Sequence, residues 1–407
     1  MERVGDGCRR GRGPDARSGV AGRLGLIGLA VAGARKSVIG AVYPLASGAA
    51  QFNGAMVRAM APGGPVDVIS WRRMYPPLLY RGQAHDTSST GRLPTDASFI
   101  LDWHDPRTWR HAVRRVASFG AQTVVLPWLH PVMAPPYRSI LRRLRGRAAR
   151  VVICHNVVPH EPVPALRHLT RTALRHADLL VTHAPHQRAE LEALGLGWVP
   201  VLEAFHPRFD CAGLAPIPSA EALARERQRQ GNPDLLLLMF GAIRPYKGLD
   251  LALDALTRVD RGLDVRLVVA GRSWEDGALE HEVQKRGLEG RVEIRDRFVP
   301  DDEAALLFGT ADASLLPYRS ASQSGVAQLS FAYGCPVIAT RVGGLPAAVD
   351  EGVNGILCEP DATDVATAIE RMAHEHSALA AGTRADADAF SFRRYCELMD
   401  RAVATLP

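Results

Sequence analysis

Two cations stand close together after a buried strand in the stretch LLLLMFGAIRPYKGLD, residues 235–250. Arg244 and Lys247 lie between Gly241, where the apolar run stops, and Gly248, which precedes an amphipathic segment. The pattern predicts a strand, a turn and a helix, and in an open α/β sheet the turn after such a strand faces the ligand crevice. Two cations beside free backbone N–H groups suit a diphosphate, so we interpret the turn as an anion site. A solvated basic loop is the alternative.

Small residues open another predicted helix, at 326–333. Gln323, Ser324 and Gly325 precede it. Such a helix start offers N–H groups to a phosphate or a sugar hydroxyl, whereas the plainer interpretation is a serine cap and nothing more. In the first half, Gly48 lies in the loop PLASGAA and would let the backbone approach a ligand closely, although a tight turn alone would also explain it.

His155 follows the predicted strand 151–154, so it is expected at the crevice. His160 and Glu161 come soon after it, but this spacing does not stack the side chains on one helical face. A third ligand is not apparent either, and no metal is therefore expected. A strand-end histidine is better suited to hydrogen bonding or proton handling next to a substrate.

These residues need a scaffold that brings strand ends together, and the chain alternates strands and helices throughout. Near-continuous apolar strands separated by helices predict α/β architecture with parallel sheets buried on both faces. The predicted strands are 38–42, 66–70, 123–126, 151–154, 179–182 and 198–202 in the first half, and 235–240, 265–270, 292–294, 313–316 and 337–339 in the second. Residues 71–105 are expected to be an irregular functional loop.

The organisation suggests two domains of ordinary size in 407 residues. We expect a first domain at 36–205, a linker at 206–233 that is rich in Pro and then in Arg, Glu and Gln, a second domain at 234–390, and a terminal helix at 391–407.

Charge divides the chain. Residues 1–233 carry 31 basic and 16 acidic side chains, a net +15, whereas residues 234–407 carry 18 and 27, a net −9. The first half is therefore expected to meet an anionic partner. No nucleic-acid-reading motif is visible and aromatic residues make up only 6%, so a membrane surface is favoured over nucleic acid. Six scattered cysteines without a CxxC pair indicate a reducing, cytoplasmic location.

The N-terminal residues 1–35 are rich in Gly, Ala and Arg, and contain a short apolar run. A signal peptide is one interpretation, but a disordered or wrongly annotated extension is preferred because the run is short and rich in glycine. No apolar run reaches the roughly 18–20 residues that span a bilayer.

Residues 128–150 combine apolar side chains with an arginine cluster. Trp128, Leu129, Val132, Met133 and Tyr137 precede Arg138, Arg142, Arg143, Arg145, Arg147 and Arg150. An apolar wedge beside cations predicts peripheral contact with an anionic membrane, on the inner face of the cell membrane for a cytoplasmic protein. A surface helix that packs through its leucines, with solvated arginines, is the alternative.

Several motifs in combination resemble one known family. FGAIRPYKGLDLALDAL, VVAGRS, LPYRSASQSGVAQLSFAYGCPVIATRVGGLP and VDEGVNGIL are similar to the retaining GT-B glycosyltransferases of family 4, and PLASGAAQFN and ICHNVVPHE resemble the first half of one branch. The resemblance covers about residues 36–375. It implies two Rossmann-like domains that face a central cleft, and transfer of a sugar from a nucleotide-diphosphate donor to a lipid-linked or cell-surface glycan acceptor.

The resemblance also implies roles for individual residues. Arg244 and Lys247 match cations on the donor diphosphate, Gly48 matches the glycine loop of the first domain, and His155 matches the histidine under the transferred sugar. The remaining donor-binding residues it implies are Gly241, Gly271, Phe298, Gln323, Ser324 and Gly325. Neither a metal nor another cofactor is implied.

The chain departs from the family pattern in two places. No Glu occurs between Ala304 and Asp350, although the family commonly has two glutamates there, so Gln323 or Gln328 is expected to replace the ribose ligand. Arg244 is also closer to Lys247 than the family's arginine is to its lysine. A catalytically degenerate protein that binds nucleotide sugar or scaffolds a glycan synthase is therefore the alternative to a hexosyltransferase.

Overall fold

The computed structural model describes residues 33–45, 48–74, 96–157, 164–209, 214–273, 278–321, 324–385 and 388–407. The expected extension at 1–35 lies almost entirely outside these ranges, and so do Gln323, His160 and Glu161. Within the described part, no helix is both long and apolar enough to cross a bilayer.

The first sheet has seven strands, all paired in parallel, in the order β3-β2-β1-β4-β5-β6-β7. Its elements are β1 (Lys36–Ile39), α1 (Gly48–Met60), β2 (Val66–Arg73), β3 (Ala97–Asp102), α2 (Pro106–Phe119), β4 (Thr123–Trp128), α3 (Ala134–Leu144), β5 (Ala149–Cys154), α4 (Pro164–Leu174), β6 (Leu179–Thr182), α5 (Pro185–Ala193) and β7 (Val201–Glu203).

The second sheet has six strands, again all parallel, in the order β10-β9-β8-β11-β12-β13. Its elements are α6 (Ala220–Arg229), β8 (Leu235–Phe240), α7 (Leu249–Leu256), β9 (Val265–Ala270), α8 (Ala278–Lys285), β10 (Val292–Arg295), α9 (Asp301–Thr310), β11 (Ala313–Leu316), α10 (Gly325–Ala332), β12 (Val337–Thr340), α11 (Leu345–Ala348), β13 (Gly355–Cys358) and α12 (Ala362–Ala385). A last helix, α13 (Phe392–Ala404), follows.

Both strand orders reverse direction once, between β1 and β4 and between β8 and β11. Ligands of doubly wound sheets bind outside the carboxyl ends of the strands at this reversal. Both faces of each sheet are covered, since Ile39 and Val38 of β1 belong to separate buried clusters, and so do Leu235 and Leu236 of β8. The predicted parallel α/β architecture is confirmed, and the strand ends that matter are those of β1, β4, β8 and β11.

Two strands and one helix differ from the sequence expectation. Residues 71–105 were expected to be irregular, yet Ala97–Asp102 forms β3 at the sheet edge, where a half-exposed strand does not need a continuous apolar run. Gly355–Cys358 likewise forms an unexpected edge strand, β13. The stretch assigned to a linker contains α6, which packs against α9.

The C-terminal helix returns to the first sheet. Phe392 and Tyr395 of α13 are buried in the cluster that contains Phe52 of α1. Lys36 Nζ also donates to Asp400 Oδ2 at 2.6 Å, between β1 and the same helix. The last helix therefore ties the end of the chain to the first domain.

The expected apolar wedge at 128–150 is wrong. The side chains of Trp128, Met133 and Tyr137 are at most 1% exposed, because they face the sheet and fill the core beneath α3. Arg150 is also buried and is paired with Asp178. What remains at the surface of this segment is mainly its other arginines.

Candidate functional site

A cavity of about 490 Å³, called here the main cavity, lies between the two sheets at their reversal points. The first domain contributes the start of α1, the residue after β4 and the turn after β5. The second domain contributes the turn after β8 and the start of α10. Its wall contains the predicted residues Gly48, His155, Gly241, Lys247, Ser324 and Gly325. The two domains therefore bring together six of the residues expected from sequence.

Lys247 is the cation of this wall. It ends a short 3-10 turn after β8, and its side chain is only 6% exposed. Its Nζ donates to the carbonyl of Phe240 at 2.9 Å and lies 5.8 Å from the centre of the Tyr318 ring. Burial, followed by the charge of Arg244, lowers the pKa of Lys247 to about 8. The ammonium group is thus desolvated beside a cavity, where an anion would stabilise its charged form.

The start of α10 presents the second anion-attracting feature. Ser324 caps the helix, accepting from the N–H of Ala327 at 3.2 Å. A Cβ placed on Gly325, the first helical residue, would meet nothing within 4 Å, and the same holds for Gly48 opposite it at the start of α1. Two helices that begin with a glycine therefore have their N-termini at the main cavity, where backbone N–H groups can approach a ligand.

His155 lies at the first-domain side of the main cavity. Its ring packs edge-on against Phe52 at a centroid distance of 4.6 Å. Burial, with a smaller effect from His206, lowers the pKa of His155 to about 3, so its imidazole is neutral at physiological pH. The buried Nε2 has no hydrogen-bond partner among the described residues. A neutral, unsatisfied ring nitrogen at a cavity wall is suited to hydrogen-bond a ligand hydroxyl.

A buried glutamine holds the backbone around His155. Gln187 Nε2 donates to the carbonyls of Cys154 and His155 at 3.2 and 3.1 Å. Its Oε1 accepts from the N–H of His183 at 2.8 Å. The same amide thus fixes the turns after β5 and β6 relative to each other.

Several predicted donor-binding residues lie outside the wall. Arg244 is exposed, and Phe298 is 44% exposed. Gly271 packs on Gly241, since a Cβ at Gly271 would lie 2.2 Å from the Gly241 carbonyl oxygen. The glycine at 271 therefore permits close backbone packing between β8 and β9 ends. Gln328 is buried, but it is not part of this wall.

Several residues that line the main cavity are not predicted from the sequence. His206, Asn156, Tyr246 and Tyr318 all belong to the wall. His206 follows β7 by three residues, and the rule that selected His155 at a strand end would also have selected it. The two tyrosines frame Lys247, and no spacing rule singles them out.

The described ranges contain no group of three or more His, Cys, Asp or Glu side chains that could hold a metal ion. His160 and Glu161 fall in the gap at 158–163.

The second domain matches a known family. Residues 234–375 match the family model described as glycosyl transferases group 1. The chain is 36% identical to a D-inositol 3-phosphate glycosyltransferase of Geodermatophilus obscurus over 187 residues, 44% of this chain and 42% of that protein. It is 32% identical to one of Streptosporangium roseum over 245 residues, 57% of this chain and 56% of that protein. The chain thus spans about half the length of these curated relatives.

Solved structures share the fold over about nine tenths of the chain. Anabaena HepE in complex with UDP and glucose has a TM-score of 0.67 at 16% identity, over 91% of this chain and all of that one. The catalytic domain of starch synthase IV from Arabidopsis thaliana, bound to ADP and acarbose, has a TM-score of 0.67 at 14% identity, over 92% of this chain and all of that one. The arrangement of two facing parallel sheets is therefore shared with these proteins.

Proposed function

Since residues 234–375 match the glycosyl transferases group 1 family model and the chain has the GT-B fold, we propose that it is a retaining, metal-independent hexosyltransferase. The donor is a nucleotide-diphosphate sugar, and the acceptor is lipid-linked or a cell-surface glycan. The observation that carries the proposal is the placement of desolvated Lys247 and the start of α10 on one cavity wall, with His155 across from them.

The proposed chemistry uses charge stabilisation by the protein. The bond between the sugar's anomeric carbon and the diphosphate oxygen breaks, and Lys247 with the N–H groups of α10 stabilises the growing negative charge. The acceptor hydroxyl attacks from the same face through an oxocarbenium-like state, and its proton passes to the departing phosphate oxygen. His155 is neutral, so it orients the sugar through a hydrogen bond and does not act as an acid.

A donor panel tests this function. UDP-, GDP- and dTDP-sugars are incubated with the protein, and release of nucleoside diphosphate is measured with and without acceptors. UDP-glucose is the first choice because UDP-glucose is bound in a HepE structure, and D-inositol 3-phosphate is a suitable acceptor because of the relatives' activity. Binding without any turnover would favour the catalytically degenerate alternative, and absence of donor binding would contradict both.

The pH dependence of kcat/KM for the donor follows from Lys247. Its pKa of about 8 lies below that of an ordinary lysine, so the free enzyme holds the charged form below pH 8 and loses it above. We expect kcat/KM to fall about tenfold per pH unit well above this pKa. Lys247→Arg keeps its charge and is expected to remove the inflection. An unchanged inflection in that variant would assign it to another group.

The partner of the basic first domain is proposed to be an anionic membrane surface. Helices α2, α3 and α4 pack side by side on one face of the first sheet. Their outer side, with the turns that follow α3 and α4, is called here the arginine face, and it carries eleven exposed arginines: Arg107, Arg110, Arg114, Arg138, Arg142, Arg143, Arg145, Arg147, Arg167, Arg171 and Arg175.

The arginine face has little opposing charge. Between Asp105 and Asp178 the sequence contains one acidic residue, Glu161. None of the eleven arginines forms a salt bridge with a described residue. The pKa of His176 is lowered to about 4, mainly by burial and additionally by the positive charges of nearby Arg175, Arg142 and Arg138. A dense cationic field of this kind attracts anionic lipid headgroups, which supports a place on the inner face of the cell membrane.

Charge reversal tests the membrane proposal. The double variant Arg142→Glu/Arg143→Glu is expected to bind phosphatidylglycerol vesicles at least about tenfold more weakly, since each basic residue near such a surface contributes about 1 kcal/mol. Cosedimentation measures the effect, and phosphatidylcholine vesicles should bind neither protein. The matched control is Arg258→Glu/Arg261→Glu, two exposed arginines of the second domain. Equal weakening by the control pair would show that only net charge matters.

A further inference from the structure

A smaller cavity of about 300 Å³, called here the second cavity, adjoins the main cavity. It is bounded by His183 and Phe205 of the first domain, by His206 directly after it, by Ser324 and Gln328 near or on α10, and by α11 with the residues around it. His206 and Ser324 line both cavities, so the two spaces meet at these side chains. A volume of this size lies at the lower end of small-ligand pockets.

Gln328 indicates that the second cavity receives a ligand. The side chain lines the cavity and is only 3% exposed. Its Oε1 has no hydrogen-bond partner among the described residues. An unsatisfied buried amide oxygen costs about 1–3 kcal/mol, and a ligand that donates a hydrogen bond would remove this cost.

His206 adds an acceptor next to it. Its Nδ1 lies 3.0 Å from the carbonyl oxygen of Pro207, which can only accept, so Nδ1 carries the proton and Nε2 is the acceptor. Burial lowers the pKa of His206 to about 4, and the ring is neutral at physiological pH. Asp350 adds an exposed carboxylate at the cavity wall. Gln328, His206 and Asp350 thus place three side chains with acceptor atoms at the wall of the same cavity.

Arg208 is a cation at the wall of the second cavity, and it already interacts with other residues of the protein. Arg208 is 8% exposed and donates from Nη1 to the carbonyl of Thr383 at 3.1 Å. Its guanidinium also lies 5.0 Å from the centre of the Phe331 ring and 4.6 Å from that of Phe390. The acceptors and the aromatic rings of Phe205 and Phe390 favour a neutral, hydroxyl-rich ring over a phosphate group.

We propose that the second cavity is an acceptor subsite, and that it holds a neutral sugar or cyclitol ring whose hydroxyl groups donate to Gln328 Oε1 and His206 Nε2. This inference rests on the proposed function and makes its acceptor class specific: a hydroxyl-rich glycan or cyclitol unit, joined to the reacting hydroxyl across the junction at His206 and Ser324.

Calorimetry with myo-inositol, methyl α-D-glucoside and maltose tests the subsite in the presence of UDP, up to the solubility limit of each probe. At least one probe is expected to bind, and Gln328→Leu is expected to weaken it about tenfold, the loss of one buried hydrogen bond. Gln328→Glu keeps an acceptor oxygen and should retain more of the affinity. The matched control, Gln284→Leu, changes an exposed glutamine of α8 and should bind as the unmodified protein does.

Two outcomes would overturn the subsite: no probe binds, or a probe binds the Gln328→Leu variant as tightly as the unmodified protein. Thermal denaturation of each variant establishes that it is folded, and Gln328→Glu takes the place of the leucine variant if that one is not. Donor hydrolysis in the same preparations separates the two proposals. Donor hydrolysis without probe binding would contradict the subsite alone. Probe binding without donor binding or hydrolysis would contradict the glycosyltransferase assignment.

Discussion

Lys247→Met is expected to lower kcat/KM for the nucleotide-sugar donor by about 10²–10³-fold, the range seen when one preorganised charge-stabilising group is removed. Methionine keeps most of the aliphatic stem but removes the ammonium group, which is buried at the wall of the main cavity. The diphosphate then loses, as its charge grows, the one lysine among the described residues of that wall. Steady-state kinetics with the donor found by the panel measure the effect.

The stability of the Lys247→Met variant separates a functional loss from a structural one. A lysine whose pKa is depressed by burial is held in its charged form at a cost to folding, so its removal should not lower Tm. Lys285→Met, at an exposed position on α8, is the matched control and should leave both Tm and kcat/KM unchanged. Full activity in the Lys247→Met variant would contradict the diphosphate assignment.

His155→Ala is expected to lower kcat by about 10–10²-fold and to leave UDP affinity nearly unchanged. The lost interaction is one buried hydrogen bond to the transferred sugar, worth about 1–3 kcal/mol in the site. UDP lacks that sugar, so UDP affinity does not depend on the hydrogen bond between His155 and the sugar. Kinetics and UDP calorimetry on the same preparation measure both quantities.

The pH profile offers a second check on His155. Because its pKa is about 3, the wild-type kcat should show no histidine inflection at neutral pH from this residue. His111→Ala, at an exposed position of α2, is the matched control. A parallel fall in UDP affinity, or an inflection near neutral pH that His155→Ala abolishes, would show that the histidine has another role.

The parallel sheets were accessible from sequence because buried strands leave a local record. The run Leu235–Phe240 is apolar throughout, and the structure has β8 with the same limits. The edge strand Ala97–Asp102 leaves a weaker record, because its apolar run is limited to Phe99, Ile100 and Leu101 and its pairing with β2 is non-local. The four residues of β13, at the edge of the second sheet, also form too short an apolar run to identify a strand by themselves.

At the main cavity, the sequence predicts which residue types follow each strand, but it does not predict how deeply each side chain is buried. Lys247 and His155 were accessible because a polar residue directly after an apolar strand is expected at the crevice. Arg244 also follows β8 but is exposed, because the conformation of the short turn after this strand determines which side chain points inward. Trp128 and Tyr137 were assigned to a surface wedge, although both are buried against the sheet.

Residues 235–250 show what local sequence predicts and what it does not. The sequence by itself determined the strand, the turn, the cations and the surplus of positive charge in the first half, because these depend on local pattern and composition. Only the tertiary structure decided that Lys247 is desolvated, that Gly48 and Gly325 line the same cavity, and that Gln328 and His206 share a second cavity. Each of these facts depends on contacts between residues far apart in the chain, such as Lys247 beside Tyr318, which no local pattern encodes.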